Sequence, residues 1–252
     1  MKSLHLPRIT GIVFILFAVA VNVPYWRLEQ TFEYDEILRQ STDYVLTRFH
    51  AGGASLILTW FVFALLALLF IPVSVLLQKS LSRPDTPYLE ATTLIGIFSG
   101  VLQAIGRIRW VFVVPVLACA YVDPAATDAT RAAVTIVYQA IHQYGGVVIG
   151  EQLGQLLLVS WTIGAGVAML HSPLVKPWLG WMGLATVPLW LLGQSELLAT
   201  VMPQMPVLET TPIAFIFWEL WLLATGICLL QVPLYRSRRG KRHGLQHHAL
   251  ES

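Results

Sequence analysis

Residues 51–77 carry no ionisable side chain. An uncharged run of that length has one common solution, a helix crossing a bilayer. The hydrocarbon core is about 30 Å thick and takes roughly 20 apolar residues per span. Similar stretches cover 9–23, 91–121, 146–170, 178–201 and 212–235. The runs are continuous rather than alternating, which argues against barrel strands. Composition agrees. Charged residues are 12% of the chain, against about 25% in soluble domains. Apolar residues are 56%, and the mean hydropathy is +0.67. Such a chain is too apolar for disorder and lacks the basic excess of a nucleic-acid binder. The expected fold is all-α, an integral membrane bundle of about six transmembrane helices. Residues 1–239 read as one domain. Residues 240–252 read as a mobile cytoplasmic tail, basic and with histidines.

Lysine and arginine placement gives the orientation. With the N-terminus inside, the inner segments hold Lys2, Arg8, Lys79, Arg83, Lys176, Arg236, Arg238, Arg239, Lys241 and Arg242. The outer segments hold only Arg27, Arg39, Arg48 and Arg131. Both termini are then cytoplasmic, and the run 236–242 anchors the last span. Tyr25, Trp26, Tyr121, Trp178, Trp181 and Tyr235 fall at span ends, where interfacial aromatics belong. The first stretch also has signal-peptide features, with Ala18-Val19-Ala20 as a cleavage site; a retained span is the preferred reading. In Glu33–Phe49, the residues Tyr34, Ile37, Leu38, Val45 and Phe49 recur near helical spacing between acids. This predicts an amphipathic helix lying on the outer surface.

Ionisable groups inside spans are costly and mark functional sites by default. Here they are Arg107, Arg109, Glu151, Glu196 and Glu219, nearly balanced in charge. Ser99, Gln103, Arg107 and Trp110 share one helical face. Arg109 lies about 200° round from Arg107. Gly96, Gly100 and Ala104 form a small-residue packing track on the same span, and Gly146, Gly150 and Gly154 form another on the fourth. Residues 131–170 exceed one straight crossing, so a break is expected at Gly145-Gly146. If the helix runs on, Tyr144, Glu151, Gln155 and Thr162 share a polar face. Should the two tracks meet, Glu151 faces an arginine, with Arg107 favoured over Arg109. His50 and His142 sit near the outer surface with Glu196 and Glu219.

Three readings follow. The charges form a structural ion-paired plug, as in an accessory subunit of a membrane complex. Alternatively they line a site for a small solute, ion or proton, as in a transporter. Or His50 and His142 ligate haem or a metal, with Glu151 as a further ligand or base in a redox protein or enzyme. The second is the best guess. Partners are then the lipid bilayer, a small ligand or ion, and a membrane-protein partner or second copy, with no nucleic acid. The cofactor stays unknown. Signatures such as GxSxG, HExxH, the Walker loop and paired CxxC are absent. Cys119 and Cys228 read as small buried hydrophobes. His243, His247 and His248 read as part of the tail.

Several motifs have a further resonance: Phe49-x-Ala-Gly-Gly53, Arg109-Trp110 with Pro115, Asp123-Pro124, and above all His142-Gln-Tyr-Gly-Gly146 followed by Gly150-Glu-Gln-Leu-Gly154. Together they resemble a bacterial family of multi-pass membrane proteins known as domain of unknown function 4386. The resemblance covers nearly the whole chain up to the basic tail. It implies a bacterial cytoplasmic-membrane protein of several helices and no particular activity. The family pattern has His after the glutamate where this chain has Gln152, so no metal role carries over there.

Overall fold

The computed structural model describes residues 5–232. Among them every regular element is helical. The tail, the run 236–242, its histidines and the predicted end of the sixth span lie outside the described residues.

Helix α1 covers Leu6–Phe32, with Pro24 inside it. A left-handed Glu33 ends it, and a 3₁₀ turn follows at Glu36–Arg39. Helix α2 covers Thr42–Leu68 and α3 Phe70–Leu81. Ser41 caps α2 by accepting from the Tyr44 amide. The predicted surface helix is therefore a short turn followed by the first turns of α2. At Gly53 the backbone takes φ 56°, ψ −152°, a region essentially reserved for glycine. That one residue bends the surface segment into the span.

Helix α4 covers Leu89–Phe112 and α5 Val114–Val122. Helix α6 covers Asp128–Ile141, capped by Thr127. The ladder then widens into a π segment at His142–Leu153 before α7 at Gly154–Leu170. The expected break at Gly145-Gly146 is thus absent. Residues 128–170 run on as one 43-residue helical column, and the widened ladder takes the place of a break. Helix α8 covers Pro177–Ala199, and α9 covers Thr211–Leu230.

Five of these columns are long and apolar enough to cross a membrane: Leu6–Phe32, Thr42–Leu81, Leu89–Val122, Asp128–Leu170 and Thr211–Leu230. Helix α8 is the sixth long helix, and its Trp, Gly and Pro residues dilute its hydropathy. Large apolar side chains such as Leu16, Leu58, Phe98, Phe112 and Phe217 remain on the outside. In a bilayer they contact lipid, so their exposure carries no penalty.

Two apolar cores support the bundle. One packs Phe17, Phe70, Trp161, Trp218 and Trp221 between α1, α3, α7 and α9. The other packs Phe32, Phe49, Trp60 and Trp110 between α1, α2 and α4, with the Trp60 and Trp110 rings stacked at 4.9 Å. Backbones touch where glycine faces glycine. A methyl added at Gly106 would meet the Gly150 Cα at 2.5 Å, so α4 and the π segment cross with no side chain between them.

Candidate functional site beneath the 33–41 turn

A cavity of about 290 Å³ lies where α1, α4, the π segment, α8 and α9 converge, roofed by the turn after α1. Phe17, Phe70, Trp190, Phe215 and Trp218 give it an apolar wall. Asn22, Asp35, Arg39, Gln103, Arg107, Glu151, Gln155, Glu196 and Glu219 give it a polar one. A smaller cavity of about 80 Å³ adjoins it between α4 and the π segment. Arg107, Gln103, Glu151 and Gln155 border both. Arg109, Trp60, Trp110 and the bare backbones of Gly106, Gly146 and Gly150 complete the smaller one.

Arg39 of the turn ties together two acids of the lining. Arg39 Nη2 lies 2.9 Å from Glu196 Oε1 and 3.4 Å from Glu151 Oε2. The three side chains keep 29%, 32% and 22% of their surface, so this clamp is partly solvated. Its position corrects the pairing expected for Glu151. The partner is Arg39 from the roof, and no carboxylate among the described residues lies within 4.0 Å of Arg107 or Arg109. The physical reason is the register of the crossing. Gly106, not Gly96 or Gly100, meets Gly150, and Gly96 and Gly100 pack instead on Trp161 and on the α2–α3 junction. Gly146 makes room for the Arg109 guanidinium, and Gly154 packs on Gln103.

Arg107 lies over the Phe63 ring at 4.4 Å and donates to Gln103 Oε1 at 3.2 Å. Gln103 donates to Ser99 Oγ, which donates to the Gly154 carbonyl at 2.8 Å. These partners follow from the i, i+4 spacing of 99, 103 and 107 on one face. Arg109 is 7% exposed. It donates to the Gly106 carbonyl, and its Nε has no hydrogen-bond partner among the described residues. Glu219 is buried at 9% exposure, and Asn22 Nδ2 donates to its Oε1 at 2.8 Å. Gln194 donates to Gln155 Oε1 at 2.8 Å.

The other predicted residues divide. His142 stacks on Tyr138 and its ring donates to the Leu38 backbone carbonyl, which ties the roof turn to the π segment. His50 is exposed on α2, with Nδ1 3.8 Å from Cys119 Sγ. The two histidines have different neighbours. Among the described residues no group of three or more His, Cys, Asp or Glu could hold a metal ion. Tyr144 corrects the expected polar face, because it is 67% exposed on the outside of the bundle. A π ladder turns fewer degrees per residue than an α-helix. A shortfall of about 20° per residue carries Tyr144 roughly 160° away from Glu151. Thr162, deeper in α7, accepts from Trp218 Nε1 at 2.9 Å.

Asn22, Asp35 and Arg39 are site residues that the sequence reading did not select. Asp35 takes φ 76°, ψ −54°, a rare and strained turn conformation. Tyr25 Oη donates to its Oδ2 at 2.7 Å. Asp35 keeps an exposed edge, yet desolvation by the protein packed around it raises its carboxyl above the usual range. The Tyr25 bond opposes that rise, and the nearby carboxylates of Glu151 and Glu196 add to it.

No curated protein and no solved structure matches the chain. A family model described as Domain of unknown function (DUF4386) matches residues 9–226. That match spans most of the described bundle and both cavities, and the chain belongs to this family.

Proposed function

We propose that this protein binds a small solute or ion inside the membrane, at the cavity beneath the 33–41 turn, as a carrier or receptor of the bacterial cytoplasmic membrane. One observation carries the reading. The cavity holds charges of both signs among spanning helices, and one of its cations, Arg107, has no carboxylate within 4.0 Å among the described residues. A structural plug would pair that charge, because an unpaired buried ion is destabilising. A binding site leaves it for the ligand. The apolar wall and the convergent polar groups match the usual make-up of small-molecule pockets.

The distribution of basic residues supports cytoplasmic termini and a cavity in the outer half. Residues 1–239 act as one domain. The cavity mouth then faces outward, behind the Arg39 clamp. Thermal unfolding of the purified protein against a panel of small anionic, cationic and neutral solutes tests the reading. A saturable shift with one class supports it. A protein that shifts with none, and is stable only with a co-purified membrane partner, would put the accessory-subunit reading first. Cysteine labelling from outside intact cells tests orientation: a cysteine near Asp123 should react, and one in Arg83–Asp85 should not.

A further inference from the structure

The smaller cavity is the more specific of the two. It is bordered by two guanidinium groups, and neither has a carboxylate within 4.0 Å among the described residues. Arg109 is more than nine-tenths buried, and its Nε lacks a hydrogen-bond partner among the described residues. Glycines at 106, 146 and 150 line it with bare backbone, and Gly146 leaves room for the Arg109 guanidinium. Glu151 is the acid that also borders it, and Arg39 holds that carboxylate from the mouth side at 3.4 Å. The net character of the floor is therefore cationic.

A guanidinium presents a planar fork of N–H donors that matches a carboxylate better than a spherical ion. Arg107 borders both cavities, so a group held there continues directly into the larger space. That space is walled by Phe17, Trp190, Phe215 and Trp218. We infer that the smaller cavity takes the carboxylate of an organic acid whose apolar body of a few carbons lies in the larger cavity. The inference deepens the small-solute reading above and rests on it.

Hexanoate and its neutral counterpart hexanamide separate the two claims. Binding to the purified full chain in nanodiscs is read by tryptophan fluorescence, since Trp60 and Trp110 border one cavity and Trp190 and Trp218 the other. Hexanoate is expected to bind saturably, and hexanamide about tenfold or more weaker. Arg107→Gln should remove that preference, so that hexanoate and hexanamide bind with affinities within about threefold of each other. Should Arg107→Gln fail to fold, the wild-type comparison of the two ligands decides alone. Equal binding of both overturns the carboxylate subsite and leaves the cavity reading intact. Chloride that competes with hexanoate at similar affinity overturns the organic-acid assignment in favour of an inorganic anion. Silence with both overturns the inference, and silence across the wider solute panel removes the cavity reading with it.

Discussion

The mouth and the floor of the cavity use arginine in opposite ways. At the mouth, Arg39 bridges two carboxylates and stays about one-third solvated. On the floor, Arg107 is half-buried and Arg109 buried, and they touch aromatic rings, a glutamine and a backbone carbonyl, with no acid within 4.0 Å among the described residues. A solvated clamp of this kind is weak, because water screens it and long side chains lose entropy in holding it. A buried cation without an acid is held by the packing of everything around it. The mouth is therefore held weakly, and the floor by its packing.

The sharpest way to break this contrast is at the glycine crossing beneath the floor. A methyl added at Gly150 would meet the Gly106 Cα at 2.8 Å, and a backbone atom cannot rotate away. Gly150→Leu should lose about 3 kcal/mol or fail to assemble. Glu196→Gln at the mouth should cost less than about 1 kcal/mol. Thermal unfolding in detergent compares them, and equal losses would dissolve the distinction between mouth and floor.

A milder change tests the floor alone. A methyl at Gly146 would overlap the Arg109 guanidinium. Gly146→Ala should cost about 1–3 kcal/mol through that overlap. In an Arg109→Met background the cost should shrink, since the thioether chain is slimmer and yields. Additive losses in that double-mutant cycle would show that Gly146 and Arg109 do not constrain each other.

The next effect concerns which arginine Glu151 answers to. Arg39→Gln and Glu151→Gln should couple by about 0.5–1 kcal/mol, as a partly exposed pair does. The Arg107 and Glu151 pair should couple less. The opposite order would restore the pairing that the sequence favours and would move Glu151 to the floor.

That mistaken preference shows what the sequence can and cannot carry. The all-helical bundle was legible because uncharged runs such as 51–77 leave a chain no other inexpensive structure. The polar set was legible for the same reason: Arg107, Glu151 and Glu219 stand out against apolar surroundings. Rotation was not legible. The face of Tyr144 was reckoned at 100° per residue, and the π segment at His142–Leu153 invalidates that figure. A wide ladder needs tertiary support, and no local pattern announces it. Arg39 was missed for a different reason. It lies outside every apolar run, and only the fold of the 33–41 turn brings it over the cavity. The spanning charges did hold a hint, since they left one carboxylate more than the arginines could match.

The smallest expected effect is a pH dependence at the mouth. Asp35 is partly exposed, and its carboxyl is raised in the folded protein chiefly by desolvation. The folded state then holds a proton more tightly than the unfolded chain does. The stability linked to this group is fully present below the unfolded carboxylate pKa of about 4 and is lost as pH rises through the higher folded value. Asp35→Asn keeps a residue that tolerates positive φ, so it leaves the strained turn in place and removes only the charge. The variant should match the wild type in mildly acidic buffer and exceed it slightly as pH approaches neutrality. Unfolding temperatures across that window check the sign. A variant that gains on acidification instead would mean that the folded mouth prefers a charged Asp35, and that the Tyr25 hydrogen bond outweighs desolvation there.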